Sequence, residues 1–140
     1  MRAVLLVVGI LVTSTASTQE RELSLWSHST HVFCIEAARA SAMIRWRTTA
    51  EVPPLSISQA ELFARGDIAR RYPQLEEFET ASIQLHRVTS RPEYRDLWYY
   101  VVTFTLPPFY RRDFGSDAYF LAVLTMDGSV VEPITSDRCG

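Results

Sequence analysis

Hydrophobic and polar residues follow two different rhythms along this chain. Between residues 58 and 72 the apolar residues recur at helical spacing, whereas from residue 80 onward they alternate with polar ones. A period near 3.6 residues predicts an amphipathic helix, and a period of two predicts strands with one buried face. The pattern therefore predicts a helix followed by a run of strands.

The predicted helix 58–72 begins with a capping signal. Ser58 would be the N-cap and Glu61 the N3 residue of a capping box, with Ile57 and Leu62 forming the hydrophobic staple. The buried face would consist of the apolar residues at helical spacing: Ala60, Phe63, Ala64, Ile68 and Tyr72.

Three strands and a hairpin are predicted after the helix. The strands cover residues 80–89, 97–106 and 118–126, and each is rich in β-branched, aromatic or alternating apolar residues. Asp127-Gly128 is a typical two-residue hairpin turn, after which residues 129–134 would return as a short edge strand. Consecutive strands joined by turns indicate an antiparallel meander.

Both faces of the predicted sheet are apolar. One face would pack against helix 58–72 and carries Trp98, Tyr100, Val102, Phe104 and Leu106. The other face would carry Tyr99, Val101, Thr103, Tyr119, Leu121 and Val123. This face is unusually apolar for a surface exposed to solvent. We therefore expect that a second element covers it or that it is a contact surface for a partner.

An additional N-terminal helix is predicted over residues 32–44. Phe33, Ala37, Ala40 and Ile44 lie at steps of four, three and four, which gives a one-sided apolar stripe. We expect this helix to cover the second face of the sheet. The predicted fold class is α+β, with one well-capped helix on a three- to four-stranded antiparallel meander and a second helix before it.

The first residues are typical of a secretory signal peptide. A positive start precedes the apolar residues 3–12, and the small residues Ser14 and Ala16 mark a cut before Ser17. A membrane anchor is the alternative, but ten apolar residues span only about 15 Å as a helix. We therefore predict a signal peptide at 1–16, a flexible lead-in at 17–31 and a single α+β domain at 32–140. The mature protein would be periplasmic or secreted, with no membrane span.

Cys34 and Cys139 are the two cysteines of the chain. An even number of cysteines in an exported protein predicts a disulfide. Two alternatives remain, which are a pair of free structural thiols and a catalytic thiol at Cys34 close to His31. The catalytic reading lacks an orienting group and an oxyanion site.

Composition excludes several function classes. The 140 residues carry a formal net charge of −2, so no basic field favours nucleic acid. All 14 basic residues are Arg, and the chain contains neither Lys nor Asn, which excludes Schiff-base lysines and N-linked glycans. Three His and two Cys are too few for a His/Cys zinc cluster, and no catalytic or phosphate-binding motif is present. We predict no enzyme activity, no metal and no cofactor, and a GC-rich bacterial source.

The segment between the second and third predicted strands is the candidate partner contact. It combines arginine and aromatic residues, which are enriched at binding surfaces: Phe109, Tyr110, Arg111, Arg112 and Phe114. The alternative is that its aromatic residues pack beneath the loop.

Residues 58–134 resemble the PepSY and cystatin-like group of small exported domains. The shared features are the helix start at 57–61 (ISQAE), the aromatic strand at 98–102 (WYYVV) and the segment 120–130 (FLAVLTMDGSV). The resemblance implies a helix packed on a short meander, export, and a role in inhibiting or regulating peptidases. The inhibitory loop of cystatins, Q-x-V-x-G, is not matched by residues 84–88 (QLHRV), so no inhibitory residues are carried over.

Three functions therefore stay open at this point. The first is an exported, non-enzymatic binding or regulatory module that contacts a protein partner such as a peptidase. The second is a small-ligand carrier or small enzyme with a cavity between helix and sheet, lined by Trp98, Tyr100 and Phe104. The third is a structural accessory of the cell envelope.

Overall fold

The structure, a computed structural model, describes residues 22–29, 31–49, 52–108, 119–135 and 139. It has an α+β architecture with two antiparallel sheets, as the sequence predicted for the class. The elements in chain order are β1 (Leu23–His28), β2 (His31–Ile35), α1 (Ala37–Ala42), α2 (Ile57–Arg71), β3 (Glu79–Arg87), a 3-10 turn (Pro92–Tyr94), β4 (Trp98–Thr105), β5 (Tyr119–Thr125), β6 (Val130–Val131) and β7 (Pro133–Thr135).

The larger sheet is a meander with the strand order β3-β4-β5-β6, which confirms the prediction. Its last hairpin turns at Asp127-Gly128, where Gly128 has a φ of +82°. The Ser129 backbone N–H donates to the Asp127 carboxylate at 3.0 Å, and the Thr125 hydroxyl donates to the same group. Burial alone would raise the pKa of Asp127, but these hydrogen bonds outweigh it and lower the pKa.

Helix α2 packs on one face of this meander. Ala60, Ala64 and Ile68 lie fully buried against a cluster that includes Tyr100 and Phe104. The short alanine side chains let the helix approach the large aromatic rings of β4 closely. The sequence predicted this pairing of helix and aromatic strand correctly.

The details of α2 differ from the prediction. Its N-cap is Ser56, and the N3 residue of the capping box is Gln59, so the assignment of Ser58 and Glu61 was wrong. The N-cap therefore lies two residues earlier than predicted, and the first helical residue is Ile57. Phe63, expected on the buried face, is exposed, because the buried stripe runs through Asp67 instead.

A buried ion pair fixes the end of α2. The Asp67 carboxylate is buried and lies 2.7 Å from guanidinium nitrogens of both Arg70 and Arg71. Arg71 also donates to the Leu121 carbonyl oxygen on β5, and Arg70 reaches Glu132, which lies between β6 and β7. These contacts join the helix to the meander and to the point where the chain leaves it.

The opposite face of the meander is covered by a second sheet with the order β1-β2-β7. Leu23, Leu25 and Phe33 from this sheet share a buried cluster with Tyr99 and Val101. The prediction that this face is covered was right. The covering element is mainly the second β-sheet, and α1 adds Ala40 to the same buried cluster.

Two sequence assignments change as a result. Residues 31–35 form the central strand β2 rather than the start of a helix 32–44, because β1 and β7 pair with both of its edges. The lead-in at 17–31, expected to be flexible, contains β1. The predicted edge strand 129–134 is divided, since β6 stays in the meander and β7 crosses to the second sheet.

Cys34 on β2 is bonded to Cys139, with 5.9 Å between their Cα atoms, which confirms the predicted disulfide and excludes the free-thiol and catalytic alternatives. None of the helices in the described segments has the length and apolar character that a bilayer crossing requires.

Candidate functional site

The predicted partner-contact residues Phe109, Tyr110, Arg111, Arg112 and Phe114 lie outside the described residues, as does the predicted signal peptide at 1–16. Their assigned roles stay predictions.

The predicted cavity between helix and sheet is filled beneath α2. Phe104 is completely buried there, with the Phe78 ring edge-on to it at 5.2 Å between centroids. The Arg65 guanidinium lies over both rings and donates hydrogen bonds to Glu61 and Thr80, which closes this end. Phe104 therefore belongs to the packed core, whereas Tyr100 and Trp98, which were predicted to line a cavity with it, line pockets.

The same face of the meander opens beyond the N-terminus of α2. Here lies an apolar groove of about 300 Å3, which we call the groove. It is lined by residues from the segment before α2, from the first turns of the helix and from the sheet: Val52, Pro53, Ser56, Ile57, Ile83, Leu85 and Tyr100.

Two groove residues expose far more apolar surface than a core would leave. Val52 is 84% exposed and Ile57 is 60% exposed, although both belong to an otherwise apolar wall. The Tyr100 hydroxyl donates to the Leu55 carbonyl oxygen at 3.0 Å, and burial raises the pKa of this phenol. Tyr100 is only 1% exposed, so it borders the groove as part of the packed core.

A second pocket, of about 190 Å3, lies next to β3 and β4 and combines tryptophan with arginine. We call it the Arg–Trp pocket, and its lining residues are Trp46, Arg47, Thr48, Thr49, Arg87, Arg95, Asp96 and Trp98. The two indoles meet edge to face with 5.2 Å between centroids, and the Arg87 guanidinium lies 5.9 Å from the Trp98 ring.

The charges in the Arg–Trp pocket are unbalanced. Three arginines line the pocket together with one acidic residue, Asp96, whose carboxylate lies 3.9 Å from the Arg47 guanidinium. Within the described parts of the chain, Arg87 and Arg95 form no ion pair. Local positive charge beside aromatic walls favours an anion.

The groove and the Arg–Trp pocket lie on successive cross-strand pairs of one face of the sheet. Leu85 is paired with Tyr100 in the groove, and two residues further along Arg87 is paired with Trp98 in the pocket. Residues directly opposite each other in an antiparallel pair point to the same face, and so do positions two apart. The two sites are therefore neighbours, about 7 Å apart along the strands.

Two other clusters are less promising. A small cavity of about 100 Å3 is lined in part by His28, His31 and Arg71, but Arg71 is already held by Asp67 and the Leu121 carbonyl. A second cluster brings the Glu22 carboxylate within 4.8 Å of both cysteine sulfurs. Because these sulfurs are joined in a disulfide, they offer no thiolate to a metal ion.

The sequence indicated only part of this site. The alternation of apolar residues predicted Trp98 and Tyr100 on the correct face of the sheet. The sequence pattern singles out none of Val52, Pro53, Arg87 and Arg95. The one available signal for the site was that Leu85 and Arg87 lie opposite Tyr100 and Trp98. This signal can be recognised only when the register of the two strands is known.

No protein family, curated protein or solved structure matches this chain. The resemblance to PepSY and cystatin-like domains stays a prediction.

Proposed function

We propose that this protein is an exported, non-enzymatic binding module whose site is the groove. The observation that carries the proposal is the exposure of Val52 and Ile57 on the wall of an apolar concavity. The groove has the size of the smaller ligand pockets in proteins, which begin near 300 Å3, and such pockets are mostly apolar.

Covering the apolar surface of the groove with a ligand would be favourable in free energy. Each Å2 of apolar surface removed from water contributes about 25 cal/mol, and the groove offers side chains from three segments of the chain at once. A ligand would cover the surface without rearranging the packed core beneath α2. Export is supported by the disulfide, which is compatible with an oxidising compartment.

The groove favours a small molecule over the other functions that the sequence left open. A partner such as a peptidase was assigned to the loop around Arg111, which lies outside the described residues. A purely structural accessory gives no reason for an exposed apolar concavity. The small-ligand function has the support of the groove.

Nile red, a neutral dye whose fluorescence rises in apolar sites, tests the proposal. We expect the protein to bind the dye with saturable fluorescence, and Ile57→Gln to weaken binding about fivefold, since it removes apolar contact from the groove wall. Leu62→Gln is the matched control. Leu62 lies on the same helix, is equally exposed, and is not part of the groove.

Two outcomes would contradict the proposal. One is the absence of saturable dye binding by the wild-type protein. The other is an equal loss of binding in Ile57→Gln and Leu62→Gln, which would assign the dye to scattered surface contacts. Thermal unfolding of both variants checks that they remain folded, as expected for substitutions at exposed positions.

A further inference from the structure

We infer that the ligand of this protein is an anionic amphiphile, a molecule with a single alkyl chain and a carboxylate head. The alkyl chain occupies the groove and the head occupies the Arg–Trp pocket. The inference rests on the proposed function and adds the chemical class of the ligand.

The charge of the pocket selects the sign of the head group. Arg47, Arg87 and Arg95 surround a space that contains one carboxylate, whereas the whole chain has a net charge of −2. The pocket is therefore locally positive although the chain as a whole is negative. A guanidinium group offers a planar pair of N–H donors that matches a carboxylate, so these side chains suit such a head.

The surroundings of the pocket combine indole surface with exposed charge. Trp46 is only 8% exposed and Trp98 is half-buried, so indole surface lines one side of the pocket, while Arg47, Arg87 and Arg95 are exposed to solvent. A carboxylate head can therefore reach the guanidinium groups from solvent, and salt screens the attraction. The exposed Thr48 and Thr49 add hydroxyl groups that can donate further hydrogen bonds to an oxygen-rich head.

The continuity of the two sites selects the shape of the ligand. The Arg87–Trp98 pair and the Ile83–Val102 pair are four residues apart on β3, which corresponds to about 14 Å along the strand. All the side chains of β3 on this path that point to the same face are apolar, namely Leu85 and Ile83. A ligand with its head group at Arg87 could therefore lay an apolar chain along the strand towards Ile83. A medium-length alkyl carboxylate has this shape.

Binding of decanoate by the full mature protein tests the inference. At about pH 8 the carboxylate of this molecule is fully ionised. We expect decanoate to displace Nile red at least about tenfold more effectively than decanol, which has the same chain and no charge. Decyltrimethylammonium, which has a positive head, should be the weakest competitor. Shortening the chain to octanoate should weaken binding by up to about fourfold per methylene.

Substitution of single arginines separates the head site from the groove. Arg87→Gln and Arg95→Gln should each reduce decanoate affinity about three- to tenfold and leave Nile red affinity unchanged. Arg39→Gln is the matched control, because it removes one exposed positive charge that does not line the pocket and instead donates to the Val130 carbonyl oxygen on β6. The preference for decanoate should also decline as salt is added.

Each result bears on one hypothesis. Equal competition by decanoate, decanol and decyltrimethylammonium would overturn the anionic ligand and leave the groove as an apolar binding site. Loss of Nile red binding altogether would overturn the proposed function instead. Tighter binding of an apolar peptide with a free carboxyl terminus than of decanoate, lost when that terminus is amidated, would overturn the amphiphile in favour of a peptide ligand.

Discussion

The phenol of Tyr99 donates a hydrogen bond of 2.5 Å to the carbonyl oxygen of Leu25. Tyr99 belongs to β4 of the meander and Leu25 to β1 of the second sheet, so this bond crosses the interface between the two sheets. The buried cluster around this bond is mainly apolar, and the His86 ring stacks on Tyr99 with 5.6 Å between centroids, so the bond gives the packing a polar anchor. Burial raises the pKa of Tyr99 to about 12.

Stability should therefore fall in alkaline solution. An unfolded chain ionises tyrosine near pH 10, so above that pH the unfolded state binds fewer protons than the folded state. The contribution of Tyr99 is complete below about pH 10 and is lost as the pH rises towards 12. We expect a loss of about 1–2 kcal/mol over this range, allowing for solvent screening, measured as the free energy of urea unfolding at each pH.

Tyr99→Phe should flatten this alkaline slope, although it removes one hydrogen bond and lowers stability at neutral pH by about 1 kcal/mol. Tyr119→Phe is the control, because Tyr119 is exposed and should leave the slope unchanged. A residual slope from Tyr100, whose pKa burial also raises, should persist in both variants. Identical slopes in the wild type and Tyr99→Phe would refute the assignment.

Removing the disulfide should cost much of the stability of the protein. The bond between Cys34 and Cys139 closes a loop with a sequence separation of 105 residues. For a loop of this length, chain entropy gives about 4–5 kcal/mol of stabilisation. The double variant Cys34→Ser/Cys139→Ser should lose about this amount in urea unfolding. A reducing agent should destabilise the wild type similarly and leave the double variant unaffected, and a wild type insensitive to reduction would contradict the prediction.

The start of α2 offers a matched pair of serines. The Gln59 backbone N–H donates to the Ser56 hydroxyl at 3.3 Å, and the Ser56 backbone N–H donates to the Gln59 side chain at 3.2 Å. We expect Ser56→Ala to lower the free energy of unfolding by about 1 kcal/mol. Ser58→Ala should have almost no effect, because Ser58 is an exposed residue inside the helix and alanine has a high helix propensity. A loss in Ser58→Ala that equals or exceeds the loss in Ser56→Ala would contradict the assignment of Ser56 as the N-cap.

Two glycines should respond in opposite directions to alanine. At Gly128 the backbone has a φ of +82°, and an added Cβ would lie 2.7 Å from the Phe63 ring, so Gly128→Ala should destabilise by about 1–2 kcal/mol. Gly66 lies within α2 with open space around its Cα, so Gly66→Ala should stabilise by about 0.5–1 kcal/mol. Thermal unfolding of the two variants beside the wild type measures both, and a shift of the same sign in each would contradict the argument.

The meander was predictable from the sequence because its signals are local. Alternation placed the three main strands within one or two residues of β3, β4 and β5, and the Asp127-Gly128 turn specified the last hairpin. Each of these patterns reports on burial of one strand face. The correct face for Tyr100 and Trp98 follows from the same alternation.

The second sheet was missed because its pairing is not local. The stripe from Phe33 to Ile44 satisfies a helical period, yet Phe33 and its neighbours form β2, whose second partner is β7, about a hundred residues later. Hydrogen bonds from two flanking strands outweighed helical propensity. For the same reason, the residues that connect elements, such as Val52 and Arg95, could not be assigned to a site before the fold was known.

The bond between Cys34 and Cys139 also determines what a protease can achieve. One cut at any position between these two residues opens the ring without separating its parts, since the fragments on either side of the cut stay covalently attached. β2 and β7 are paired close to the bond, so backbone hydrogen bonds as well as the disulfide hold the two ends of the ring together. A molecule cut once therefore keeps its full mass until its disulfide is reduced.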